Sequence, residues 1–263
     1  MKLLKFDYKK REHWGIMEGD NVVLLSRPPF SGIKRSGTSV ELQEIRLLPP
    51  AGDTAKIVLA GLNYRRHAAE LGMALPKEPV IFMKPSTSLI AHEQNIVYPR
   101  SALRVDYEAE LAVVIGETAR NVPESRARRY ILGFTCCNDV TARDLQKKDG
   151  QWTRAKSFDT FCPLGPWIET EAPRRDCRIR LFLNGKLRQE SAIVDQIFSA
   201  SRLVSFVSSV MTLLPGDVVS TGTPPGVGAM VPGDSVAVEI EGVGFLRNAV
   251  VQTAPKGNAR VCR

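Results

Sequence analysis

The chain has 263 residues, 43% of them hydrophobic and 24% charged, with a formal net charge of +8, a balance that suits one large domain, or one domain with a small appendage, able to bury a core without disulfides. No apolar run approaches the roughly 20 residues that cross a bilayer, and MKLLKFDYKK is too short in apolar residues for a secretion signal, so no membrane association is expected and the expected compartment is the cytoplasm. The basic residues are scattered (Arg126, Arg128, Arg129, then Arg174, Arg175, Arg178, Arg180) and carry no nucleic-acid signature, so they read as a solvated surface that can at most help gather an anionic substrate.

Residues 1 to about 50 read as short strands. HWGIMEGDNVVLL predicts two strands joined by a turn at Glu18-Gly19-Asp20. SRPPFSGIKRSGTS reads as a loop, and ELQEIRLLPP as a strand stopped by Pro49-Pro50. This unit carries little chemistry. A boundary near Gly52 divides a small N-terminal β domain, 1–52, from a larger domain, 53–263.

KIVLAGLNYRRHAAELG predicts a buried strand, Ile57 to Ala60, running into a short helix that ends at Gly72. PVIFMKP reads as another strand. In RVDYEAELAVVIG, Asp106, Glu108 and Glu110 alternate with Tyr107, Ala109 and Leu111, so one strand would carry three acids on one face. VPESRARRYI reads as a helical turn or two, ILGFTCCNDV as a strand and TARDLQKK as a short helix. SASRLVSFVSSVMTLLPGD places Leu203, Phe206, Val207, Val210 and Leu214 at helical spacing, ending before Pro215-Gly216. The remainder is strands broken by Gly and Pro, with clear alternation in SVAVEIEGVG. Strands dominate without a regular βαβ rhythm, so the expected fold class is mainly β (α+β). The five cysteines, Cys136, Cys137, Cys162, Cys177 and Cys262, form no C-x-x-C pair and read as small core residues in a reducing compartment.

Ionised carboxylates sharing a buried face repel one another, and each is penalised by desolvation. Either the face is exposed, or one carboxyl is protonated, or a divalent cation lies between them. Carboxylate oxygens suit Mg²⁺, Mn²⁺ and Ca²⁺. Asp139, at the end of a predicted strand and just before a helix, supplies a further acid where ligands are often presented. Lys156 stands in the largely uncharged stretch GQWTRAKSFDTFCPLG, where it can hold a carboxylate. His67 and Glu70, three apart, share a helix face as either a surface pair or a base with its orienting acid. Arg143 is placed either to pair with Asp144 or Asp149 or to serve a site. STGTPPGVG is a tight loop presenting backbone N–H groups and the Thr223 hydroxyl, without the lysine of a nucleotide phosphate loop.

Seven blocks in order, LNYRRHAAE, IFMKPSTS, VDYEAELAVVIG, NDVTARDLQ, QWTRAKSFDTFCPLGPWI, LNGKLRQ and LPGDVVSTGTPPGVG with PGDSVAVEIEGVGFLRN, resemble the fumarylacetoacetate hydrolase family over roughly residues 55–250. The first 50 residues resemble the small N-terminal domain of many bacterial members, and the short bacterial enzymes described as 2-hydroxyhepta-2,4-diene-1,7-dioate isomerases or acylpyruvate hydrolases are the nearest in pattern. The resemblance implies a β-roll core, usually a homodimer, and a divalent cation, Mg²⁺ or Mn²⁺ and sometimes Ca²⁺. It implies Glu108, Glu110 and Asp139 as metal ligands, with Asp106 beside them but not ligating. It implies His67 and Glu70 as the catalytic pair on a lid helix, and Lys156, Arg143, Gln146 and Thr223 on the substrate, Lys156 serving catalysis as well. The expected activity is metal-dependent hydrolytic C–C cleavage of an acylpyruvate-type 2-oxo acid. The alternatives on the same site are the dioate isomerase and a decarboxylase of oxaloacetate-type β-oxo diacids.

Overall fold

The segment Ala109–Ile115 is apolar at nearly every position because both of its faces are buried. Leu111, Val113 and Ile115 point into the main core, while Ala112 packs with Ile57, Leu59, Cys137 and Leu164, and Val114 with Leu3, Trp14 and Ile16. In the computed structural model, which describes residues 1–253, this strand lies inside a twelve-stranded sheet. Its neighbours are Ile131–Asn138, antiparallel, and Val218–Ser220. Beyond Val218–Ser220 come Ile57–Ala60, paired in parallel, and Ile81–Lys84.

A second, five-stranded sheet runs in the order Lys186–Ala192, Arg178–Leu183, Ser235–Ile240, Gly244–Gln252, Asn95–Tyr98. Its inward residues Ile179, Leu181, Val236, Val238 and Leu246 share one core with Leu111, Val113, Phe134 and the helix residues Leu203, Val204 and Val207. The mainly β class is what the chain adopts, with only short helices besides Ala200–Val210 among the described residues.

The N-terminal strands Lys2–Tyr8, Arg11–Glu18, Asn21–Leu25 and Arg35–Glu41 form a meander. It joins the large sheet through Lys2 opposite Glu169 and Leu3 opposite Ile168. Arg35–Glu41 falls partly in the stretch expected to be loop. It is an edge strand with Val40 its one buried residue, so it shows no alternation to read.

The helix expected to reach Leu214 stops at Val210, where Met211 turns extended. Leu213 then bridges Ala119 and is buried, leaving Val210 and Leu214 exposed. Cys136, Cys137, Cys162 and Cys177 are buried and free, and Cys262 lies outside the described residues.

The expected single acid strand is two strands. Val105–Tyr107 belongs to a three-stranded sheet with Thr141–Ala142 and Gly228–Met230. Ala109–Ile115 belongs to the large one. The chain changes sheets at Glu108, so Asp106 and Glu110 lie in different sheets and do not share one strand face.

Candidate active site

Glu108, at this change of sheets, is pinned by backbone contacts. Its N–H donates to Asn138 Oδ1 at 2.9 Å, and its carbonyl accepts from Asp139 N at 2.9 Å. Those two bonds bring Asp139, just past the Ile131–Asn138 strand, against Glu108. Glu110 is one of the large-sheet residues and faces Cys137 in register. Carboxylate oxygens of Glu108, Glu110 and Asp139 lie within 4.8 Å of one another, and the three residues are 6%, 1% and 1% exposed. An exposed acidic face is therefore excluded.

Cations surround the group. Lys156 Nζ, itself buried, lies 3.0 Å from Glu108 Oε2 and 2.5 Å from Asp139 Oδ2. Arg143 donates to Glu108 Oε1, to Asp106 Oδ2 at 2.9 Å and to Gln146 Oε1 at 2.6 Å. Asp106 also pairs with Arg104 at 2.7 Å, so it serves as an anchor for two guanidinium groups. Asp144 and Asp149, the ordinary partners considered for Arg143, are engaged elsewhere: Asp144 accepts from the Leu103 backbone and Asp149 pairs with Arg154. Lys84 had no role in the sequence reading. Its fully buried Nζ lies 2.6 Å from Asp139 Oδ1 and donates to Val140 O at 2.9 Å and Phe161 O at 2.5 Å. A lysine at a strand end carries no local signal of burial; only its pairing register draws it in.

The environments separate the acids. Burial opposes ionisation of Glu108, but Lys156 and then Arg143 outweigh it and hold its carboxyl well below the usual range. Glu110 has no cation so close. Burial, then the charge of Asp139, pushes its carboxyl well above the ordinary value, against hydrogen bonds from Ser220 Oγ at 2.5 Å and Gly222 N at 3.0 Å. Lys156 is held in its charged form: burial works against the charge, and Asp139 and Glu108 more than offset it.

The donor set fits a hard divalent cation. Three carboxylates converge, and the buried Asp139 Oδ1 accepts no well-formed hydrogen bond despite its nearness to Lys84. Four acids (Asp106, Glu108, Glu110, Asp139) face four cations (Lys84, Arg104, Arg143, Lys156), so an added 2+ ion leaves an excess of positive charge that suits an anionic chelating ligand.

His67 and Glu70 lie on the Arg65–Glu70 helix, with Nδ1 2.9 Å from Glu70 Oε2. A carboxylate only accepts, so Nδ1 carries the proton and Nε2 of a neutral ring is left as the base. Glu70 also accepts from Gly226 N at 3.2 and 3.3 Å, which docks the helix on the Thr221–Gly228 loop. Among the described residues no hydrogen bond joins His67 to the three carboxylates. Thr223, in that loop, follows Gly222, the donor to Glu110. The structure thus gathers Glu108, Glu110, Asp139, Arg143, Gln146 and Lys156 in one contact network, and links His67, Glu70 and Thr223 to it through the loop.

Residues 56–251 match the family model of the fumarylacetoacetate (FAA) hydrolase C-terminal domain, and residues 1–50 match an Rv2993c-like N-terminal model. The chain belongs to the fumarylacetoacetate hydrolase family. An uncharacterised protein of Archaeoglobus fulgidus is 58% identical over 217 residues, 82% of this chain and 86% of that one. The solved 5-carboxymethyl-2-hydroxymuconate delta-isomerase of Mycobacterium smegmatis is 43% identical with a TM-score of 0.90, covering 96% of this chain and 100% of that chain. A 4-hydroxyphenylacetate degradation bifunctional isomerase/decarboxylase of Salmonella dublin is 45% identical over 206 residues, 77% of this chain but 48% of that longer protein. The family's fold is therefore the fold of this chain, and its carboxylate group can hold a metal. Among the described residues no helix is long and apolar enough to cross a membrane.

Proposed function

We propose that this protein is an enzyme that acts, with Mg²⁺ or Mn²⁺ held by Glu108, Glu110 and Asp139, on a 2-oxo or 2,4-dioxo acid, cleaving a C–C bond of an acylpyruvate-type substrate by hydrolysis. The observation that carries this reading is the buried carboxylate trio ringed by Lys156, Arg143 and Lys84. When bound, the cation supplies Lewis-acid stabilisation of the negative charge that develops on the 2-oxo group. Lys156, Arg143 and Gln146 hold the substrate's carboxylate and oxo oxygens, and Thr223 binds the carboxylate. His67 Nε2 takes a proton from the attacking water while Glu70 holds the ring by Nδ1. The bond from Gly226 N to Glu70 ties the helix that carries this pair to the Thr221–Gly228 loop.

A second reading, isomerisation or decarboxylation on the same site, is favoured by the names of the M. smegmatis and S. dublin relatives. It needs the chelating carboxylates and cations but no attacking water. A metal-supplemented panel of acetylpyruvate, fumarylpyruvate, oxaloacetate and a hydroxyheptadienedioate, with product identification, separates the two. Pyruvate plus a second acid from an acylpyruvate supports hydrolysis, and an isomerised or decarboxylated diacid alone supports the other. The same reading takes the working form to be a cytoplasmic homodimer. Leu71, Met73 and Leu75, each about half exposed after the helix, offer an apolar stretch for a second copy. Sedimentation of the purified protein tests this, and a monomer at micromolar concentration removes it.

A further inference from the structure

Gln189 lies on the Lys186–Ala192 strand and is 1% exposed. Its Oε1 accepts from the Ala109 N–H at 2.9 Å. Its Nε2 donates to Thr223 Oγ1 at 2.9 Å and to Pro224 O at 2.8 Å. A backbone N–H can only donate and a backbone carbonyl can only accept, so the amide has one permitted orientation. Both amide protons therefore go to the loop, and Thr223 Oγ1 is the acceptor in its bond with Gln189. A hydroxyl has a single proton. Thr223 is itself buried, and among the described residues its O–H reaches no acceptor.

The position of this O–H is set from both sides. Ala109, which Gln189 grips, stands between Glu108 and Glu110. Gly222, the residue before Thr223, donates to Glu110 Oε2. Gly226, which receives Glu70, sits so close to the Gln189 strand that an added Cβ would lie 2.5 Å from Arg188 O. One buried amide thus ties the strand of the carboxylates to the loop on which the His67 helix docks.

We infer that Gln189 is a positioning residue that fixes the polarity of the Thr223 hydroxyl, leaving it a donor toward a carboxylate oxygen of the ligand. The identity of that ligand rests on the proposed 2-oxo acid chemistry, while the polarity rests on the protein's own hydrogen bonds. A buried hydroxyl held this way selects an acceptor, and a charged acceptor most of all. Were Gln189 replaced by an acid, the new oxygen would accept from Thr223, and the hydroxyl would turn a lone pair on the ligand.

The test is calorimetric binding of oxalate, a non-reacting mimic of a 2-oxo acid, to Mg²⁺-loaded protein, with Mn²⁺ affinity and melting temperature measured alongside. Thr223→Val is expected to weaken oxalate by roughly 10- to 150-fold, the range for a charge-assisted hydrogen bond, while Thr223→Ser stays near wild type. Gln189→Met is expected to weaken oxalate in the wild-type background and by less than about 2-fold in the Thr223→Val background, because both changes act through one hydroxyl. Gln189→Glu, the same size, is expected to lose at least as much as Thr223→Val, and serves if the methionine variant does not fold. Mn²⁺ affinity without oxalate stays within about 2-fold in the Thr223 variants and in Gln189→Met, whereas Gln189→Glu, which sets an acid beside Glu108 and Glu110, is read against its own Mn²⁺ affinity. Equal losses from Gln189→Met in both backgrounds, or a Gln189→Glu or Thr223→Val variant that binds like wild type, overturn the inference and leave the 2-oxo acid reading standing. Wild-type protein that binds Mn²⁺ but no oxalate overturns both.

Discussion

Replacing Lys84 with methionine keeps most of its volume and removes a charge that the structure places wholly inside the protein. Asp139 Oδ1 loses its ion-pair partner at 2.6 Å, and two acceptors lose their donor, Val140 O at 2.9 Å and Phe161 O at 2.5 Å. Breaking a buried ion pair from one side costs about 3–5 kcal/mol. Asp139 keeps Lys156 on its other oxygen at 2.5 Å, which places the ion-pair part near the lower end. The two carbonyls stay buried without their donor and add roughly 1 kcal/mol or more between them. The expected loss is about 4 kcal/mol, or a fall of about 8–16 °C in melting temperature for a chain of this size. A divalent cation beside Asp139 restores positive charge there, so the loss is smaller with Mg²⁺ than with chelator. Urea and thermal unfolding of wild type and Lys84→Met, each with Mg²⁺ and with chelator, measure both effects. A shift below about 2 °C, or the same shift with and without Mg²⁺, would contradict a role for Lys84 as the buried counter-ion of Asp139.

Three further outcomes are expected. His67→Ala lowers kcat by about 10²–10⁴-fold with little change in oxalate affinity, since the proton transfer belongs to the transition state, and Glu70→Gln shows a milder version; unimpaired hydrolysis in His67→Ala would reduce that residue to part of the docked helix. For Arg143→Ala the sign of the pH effect follows from Glu108, whose carboxyl burial opposes but Lys156 and Arg143 hold below its ordinary 4.5. A depressed carboxyl stabilises the fold above its unfolded value and loses that stabilisation as pH falls through the native one, so the stability gap between wild type and Arg143→Ala is wide at pH 7 and narrows in acid below about pH 4; a constant gap in urea unfolding contradicts the assignment. Glu110, raised by burial and then by Asp139, holds a proton above the unfolded value, so the metal-free protein loses stability as pH rises from about 4.5. Metal binding near the native value releases that proton, and a binding enthalpy independent of the buffer's ionisation heat would contradict it.

Much of the scaffold was legible because its signals are local. Ile57–Ala60 followed by a short helix, and the alternation of Ser235–Ile240, read directly from hydrophobic period. The acids were legible as a chemical group but not as a geometry. Period 2 placed Asp106, Glu108 and Glu110 on one face, whereas the chain leaves one sheet and enters another at Glu108. Pairing partners far along the sequence decide that change, among them Gly228–Met230 and Ile131–Asn138. The acids' sequence context left exposure, protonation or a cation open; Lys156 and Arg143 were expected on the substrate, not against the carboxylates themselves, and Lys84 was not expected at the site at all. Lys84 and Arg143 reach the site only through tertiary register. Gln189 is a polar residue on a largely exposed strand, and nothing near it in sequence marks its side chain as buried between a strand and a loop. At the other end of the scale, Arg35–Glu41 escaped notice because an exposed edge strand needs no hydrophobic pattern.

The most direct test of the central claim is turnover of acetylpyruvate by protein verified to be metal-free, before and after addition of Mg²⁺ or Mn²⁺, with Asp139→Ala beside the wild type. The account predicts no turnover without metal, recovery in the wild type on adding it, and no recovery in Asp139→Ala despite a cooperative unfolding transition. Full activity in the metal-free protein, or metal-restored activity in Asp139→Ala, would contradict it.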